Sequence, residues 1–245
     1  MGLTIENENN AFNQWLLHAA AGQYVCHWQQ QHYDHAVADY FGYYALQIGA
    51  SAIHALHNSR IQHCWQLQDY AGTTASAHLC AHAEALPFET EQFDLLVMPH
   101  GLELCHQPHA ALREACRVLR PEGRLIISGF NPVRLLGRTR PALSQQQLGT
   151  PIGYLRLRDW LHLLNLEVQD ASFGCFLPSF KNTHWYSSMA WVDRIATPFL
   201  PFLGNMYWLV ATKKVHGAYI LAPNWKRWRV QPHRCTAIAS PNKQH

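Results

Sequence analysis

The sequence predicts an α/β fold, a doubly wound sheet of seven mostly parallel strands. Two observations carry that expectation. Strand-like and helix-like patterns alternate with short links from about residue 43 onward. The run FDLLVMPHG (93–101) is apolar at nearly every position, as a central strand covered by helices on both sides must be.

The elements follow in order. Residues 11–42, rich in Gln, His and aromatics with apolar positions at helical spacing, read as one or two helices lying over a ligand pocket. YYALQIG (43–49) is a buried strand, and SAIHALHNS (51–59) is expected to form a short helix. HCWQLQ (63–68) and SAHLCAH (76–82) supply the second and third strands, and 93–101 the fourth. QPHAALREACRVLR (107–120) is an amphipathic helix with Pro108 in its first turn and Leu112, Ala115, Cys116 and Leu119 on one face. PEG (121–123) turns the chain into the strand RLIISGF (124–130). LRLRDWLHLLN (155–165) is a helix, and LEVQDASFG and NMYWLVATKKV (205–215) are the last strands.

Composition sets the outer limits. The chain has 245 residues, 48% of them hydrophobic, enough for one large domain. Seven scattered cysteines with no CxxC pair, behind a polar start, point to the reducing cytoplasm. The uncharged run 195–212 is broken by Pro198, Pro201, Gly204 and Asn205, so no membrane span is expected. Charge is uneven: 11 Lys/Arg face 16 Asp/Glu up to Asp193, while 8 Lys/Arg and no acid follow. The end, NWKRWRVQPHRCTAIASPNKQH, therefore reads as a solvated, disordered tail. Its alternative is a docking strip for an anionic partner, with Trp225 and Trp228 able to stack.

Residues 84–132, EALPFETEQFDLLVMPHGLELCHQPHAALREACRVLRPEGRLIISGFNP, resemble the class I S-adenosylmethionine-dependent methyltransferases, in particular the type 11 subgroup. The shared features are the LPF turn, the FD strand, the LE dipeptide after it and the RVLRPEGRL helix–turn–strand. ISGFNPVRLLG with LRDWLHLLNLEV is further similar to the YafS-like proteins of proteobacteria. The resemblance covers most of residues 40–215 and implies a Rossmann-like class I methyltransferase fold over 43–220; the helical spacing before it marks an N-terminal helical segment at 1–42, and the charge after it a basic tail at 221–245.

It also implies a cofactor, S-adenosyl-L-methionine, and a set of contacts. Gly49 stands as the first glycine of the loop after strand one, with Ser51 and Ile53 where further glycines are usual. Asp69, 20 residues on, has the spacing of a ribose-binding acid. His82 takes the place of the adenine-binding aspartate, where a neutral imidazole can accept one hydrogen bond, and the Ala83 N–H faces the ring. Met98 and Pro99 support the methionine part. His100, at the end of the fourth strand, is the first candidate for a general base, with the alternative that it merely lines the pocket. His106 and Glu103 come next, Glu103 as support.

The acceptor implied is a small molecule. Arg134, Arg138 and Arg140 read as a solvated basic loop or, if functional, as a site for an anionic acceptor or partner. A non-catalytic methyltransferase-fold protein binding nucleic acid or protein is the competing class. His82-Ala83-Glu84 fits half of a zinc deaminase signature whose P-C-x-x-C half is missing. Cys105, His106 and His109 lack a second ligand pair, so no metal site is expected. A serine hydrolase is disfavoured by the missing G-x-S-x-G elbow.

Overall fold

The computed structural model describes residues 11–68, 79–132, 151–176 and 204–214. The chain separates into Met1–Val215 and a short unit, His216–His245, which lies outside the described residues together with Asp69, Arg134, Arg138 and Arg140. One sheet holds seven strands: β1 Tyr44–Ile48, β2 His63–Gln68, β3 Leu79–Cys80, β4 Phe93–Pro99, β5 Leu119–Phe130, β6 Leu166–Gly174 and β7 Met206–Lys213. Their order is β3-β2-β1-β4-β5-β7-β6. The first five strands pair in parallel, and β7 runs antiparallel between β5 and β6. This is the expected Rossmann-like, mostly parallel arrangement. Chain order reverses between β1 and β4, which opens a crevice outside their carboxyl ends.

Alternate residues of the central strands feed two cores. Leu96 and Met98 of β4 face one side with Leu46, Leu125 and Ile127, covered by α2 (Pro108–Val118) and α3 (Tyr154–Leu163). Leu95 and Val97 face the other with Ala45, Ile126, Met206 and Trp208. That second face is covered by α1 (Ala20–Ala38) and the helical stretch 11–18 before it. In α1 the buried positions are Gly22, Val25, Gln29, Tyr33 and Val37, a stripe at intervals of three or four. Two members of that stripe are polar, and both point into the sheet.

Three expectations change. Residues 51–59 form successive turns and no helix. The cause is the buried Gln47 side chain, whose amide nitrogen donates to the Ala50 carbonyl at 3.1 Å and the Ile53 carbonyl at 2.6 Å. Its oxygen accepts from the Ala55 N–H at 3.1 Å. Those are groups an α-helix would pair among themselves, so the side chain replaces the helical ladder. The 107–120 helix, in turn, stops at Val118 because Leu119 pairs with Phe93 at the start of the β4–β5 ladder. The expected turn at 121–123 is absorbed into a β5 irregularity in which Glu122 has φ 62°.

The shared motif has a structural reason. Arg117 donates to the Leu86 and Phe88 carbonyls at 3.0 and 2.9 Å and pairs with Glu114, which accepts the Leu86 N–H at 3.1 Å. The LPF turn is thereby tied to α2.

Candidate active site

The crevice between β1 and β4 is narrow because the two strand ends touch through backbone. Gly49 has φ 118°, and a side chain there would collide with the Pro99 carbonyl oxygen and reach Gly101 Cα at 2.8 Å. The Ala50 N–H donates to that same Pro99 oxygen at 2.8 Å. Glycine is thus required here by backbone approach across the switch point. Met98 and Pro99 are buried in the strand end, Ala83 is buried at the β3 corner, and His82 is exposed beside it. Asp69 lies outside the described residues.

His100 follows Pro99 in the left-handed region, at φ 54°, and is fully buried. A non-glycine residue held there is strained unless its surroundings fix it, and these do. Its N–H donates to the Ser128 carbonyl at 2.9 Å. Its ring Nδ1 lies 2.6 Å from Glu103 Oε2, and its Nε2 lies 2.7 Å from the amide nitrogen of Gln29 on α1. Glu103 is itself buried, and its other oxygen accepts the Phe130 N–H at 2.6 Å. A carboxylate at Nδ1 and an amide N–H at Nε2 together suit the Nδ1–H tautomer, with the Nε2 lone pair toward Gln29.

Aromatic rings wall this pair. Phe12 meets the His100 ring edge-on at 4.8 Å between centroids, Phe130 lies at 4.7 Å, and half-buried Trp15 packs against both phenylalanines. Tyr33 exchanges a hydrogen bond of 2.9 Å with the Ser128 hydroxyl. Two buried polar atoms close by, Gln29 Oε1 and the Tyr207 hydroxyl, have no partner among the described residues. Burial, and then the Glu103 carboxylate, push the Tyr207 hydroxyl well above its ordinary pKa, so it stays protonated.

The structure therefore brings Gly49, Met98, Pro99, His100 and Glu103 to one crevice. His106 is exposed, and Glu84 accepts the Gln107 N–H at 3.0 Å. Among the described residues no three His, Cys, Asp or Glu side chains converge as metal ligands, and no helix is long and apolar enough to cross a membrane. Sequence reasoning does not single out Gln29 and Tyr33. A signal for them exists, as two polar residues within an otherwise apolar helical stripe.

Residues 22–127 match the family model described as "Methyltransferase domain", of type 11. Over those residues the chain is similar to type 11 methyltransferase domains. It is 36% identical over 133 residues to the uncharacterized protein YafS of Escherichia coli K12, covering 53% of this chain and 52% of that one. It is 30% identical over 118 residues to the demethylmenaquinone methyltransferase of Renibacterium salmoninarum, covering 42% and 50%. The chain spans about half the length of these curated relatives. Among solved structures, a SAM-dependent methyltransferase of Thermotoga maritima described as a possible histamine N-methyltransferase superposes with TM-score 0.59 at 17% identity, covering 87% of this chain and all of that one. The [4+2]-cyclase SpnF superposes with TM-score 0.52, also at 17% identity, covering 76% and 80%. The chain shares its fold with both; at such identities the fold does not name the reaction.

The residues present fit S-adenosylmethionine at the strand ends. Gly49 lets the loop after β1 lie directly against the Pro99 carbonyl, and His82 and Ala83 lie at the corner after β3. The loop contributes less than a glycine-rich one, since its N–H groups at 50, 52, 54 and 55 are already bonded within the protein.

Proposed function

We propose that the chain is an S-adenosylmethionine-dependent methyltransferase acting on a small, ring-shaped acceptor that carries an ionisable hydroxyl. The observation that carries this reading is the buried His100–Glu103 pair at the β4 end, walled by Phe12, Trp15 and Phe130. A carboxylate-oriented imidazole suits an acceptor proton with a high pKa, and the rings packed on it keep water away. Relatives named for demethylmenaquinone and for 2-methoxy-6-polyprenyl-1,4-benzoquinol point to the same chemical class.

The bound cofactor would supply an electrophilic methyl group. Gly49, Ala83, Met98 and Pro99 are the residues that would hold it, with His82 toward the adenine and Asp69 toward the ribose. The rest falls to the chain's own groups. The apolar wall excludes water and orients the ring. His100 Nε2 takes the acceptor's proton, and Glu103 steadies the imidazolium so formed. Gln29 donates to that nitrogen at present, so an acceptor hydroxyl would take the place of its N–H.

Calorimetric titration with S-adenosylhomocysteine should give a dissociation constant on the order of micromolar. Transfer of labelled methyl to a panel of hydroquinones should fall about 100-fold in His100→Gln with cofactor affinity retained. A folded protein that takes up no S-adenosylhomocysteine would instead favour the second reading, a non-catalytic binding module. That reading draws on the basic end of the chain and on the committed loop N–H groups. Its partner would be anionic, held through Arg134, Arg138 and Arg140 or the tail.

A further inference from the structure

The loop after β1 has lost its helix, and the N-terminal segment stands in for it. Asn13 Oδ1 accepts the Ala52 N–H at 3.1 Å. Gln30 Oε1 accepts the His54 N–H at 3.1 Å, and its amide nitrogen donates to the His54 carbonyl at 3.0 Å and to Asp34 at 2.8 Å. Gln47 serves the remaining groups from inside the sheet.

The immediate chain neighbours of Asn13 and Gln30 reach the other wall of the crevice. Phe12 packs on the His100 ring, and Gln29 bonds its Nε2. Twice, then, two consecutive residues divide between the cofactor loop and His100. A helix presents successive side chains about 100° apart, so one helix edge can serve two walls that meet at such an angle.

We propose that residues 11–38 are a working part of the site. In it Asn13 and Gln30 are positioning residues for the cofactor loop, and Phe12 and Gln29 seat His100, so that the two walls are held by one N-terminal segment. The proposal rests on the cofactor-binding reading for its effect on affinity, but the loop's dependence on the helix is independent of it. A glycine-rich loop that opens a helix is held by its own helical hydrogen bonds. This one is held by side chains from a segment earlier in the chain, so its rigidity depends on Asn13 and Gln30.

The test uses the full-length chain with two readouts. Amide hydrogen exchange at Ala52 and His54 should be slow in the free protein. Asn13→Ala should release Ala52, and Gln30→Ala should release His54, each by about tenfold or more. Gln31→Ala, one residue along and bonded to His27 on its own helix, should change neither amide. The affinity for S-adenosylhomocysteine should fall about tenfold in the Asn13→Ala/Gln30→Ala double variant. Unchanged exchange in both single variants, or an equal loss in Gln31→Ala, would overturn the proposal. Lost protection in the variants, with no S-adenosylhomocysteine taken up by the wild-type protein, would uphold the clamp and overturn the cofactor reading alone.

Discussion

Gly49 and Glu103 show how single residues set this crevice. At Gly49 a Cβ meets both a positive φ and the Pro99 carbonyl, and neither strand end can retreat without breaking its parallel ladder. Gly49→Ala should therefore destabilise the fold by about 3 kcal/mol or more, read from the urea midpoint. Glu103 accepts two hydrogen bonds through two oxygens, and a glutamine in its place could accept only one of them while keeping the same shape. If the glutamine oxygen stays on the Phe130 N–H, its amide nitrogen faces His100 Nδ1 and donates to it. The imidazole must then carry its proton on Nε2, and Gln29 can meet it by turning its amide. That turn gives the now unpartnered Gln29 Oε1 a donor. Glu103→Gln is thus expected to switch His100 from the Nδ1–H to the Nε2–H tautomer, visible as exchanged ring ¹⁵N shifts. A retained Nδ1–H signal would show that the carboxylate does not set the tautomer.

Elements are joined here by a few charged ties, and these give stability a pH dependence. Asp94, on β4, accepts the Tyr43 and Tyr44 N–H groups at 2.7 and 3.0 Å and the Arg120 guanidinium at 2.8 Å, fixing the start of β1 and of β5. Burial alone would raise its pKa, but these donors outweigh burial and hold the carboxyl below its ordinary value. A carboxyl depressed in the fold contributes stability above its unfolded pKa and loses it as pH falls through the folded one. The melting temperature should therefore drop below about pH 4, and the drop should be shallower in Asp94→Asn. A parallel pH profile in the variant would remove Asp94 as a source of the dependence. Such ties also mark what the sequence can and cannot tell. Strands with continuous apolar runs, such as β4 and β5, and the 3.6-residue pattern of α2 are readable because their signals are local. The helix expected at 51–59 is absent because Gln47, just upstream, takes its hydrogen bonds. The Gln29–His100 and Tyr33–Ser128 contacts join residues 71 and 95 positions apart, and no local pattern records which strand end a helix stripe will meet.

For the molecule as a whole, the question is which parts the fold requires. The segment before β1 is rich in Gln, His and aromatics and reads as one or two helices lying over a ligand pocket. In the structure Phe12, Leu16, Val25, Tyr33 and Val37 are all at most 7% exposed and belong to the core on one face of the sheet. Burying a side chain of this size contributes about 1.5–3 kcal/mol, so the five together approach the whole net stability expected of a domain. Removing residues 1–38 would also leave the loop N–H groups at 52 and 54 and the Nε2 of His100 without their partners. A chain starting at residue 39 is accordingly expected to lack a cooperative thermal transition and to bind hydrophobic dyes. The opposite end should behave differently, since β7 ends at Lys213 and every described strand belongs to the unit Met1–Val215. Deleting 222–245 should move the melting temperature by less than about 3 °C, the shift that roughly 1 kcal/mol produces at this size. A cooperative, full-height transition in the chain lacking 1–38 would show that the sheet closes without its N-terminal cover.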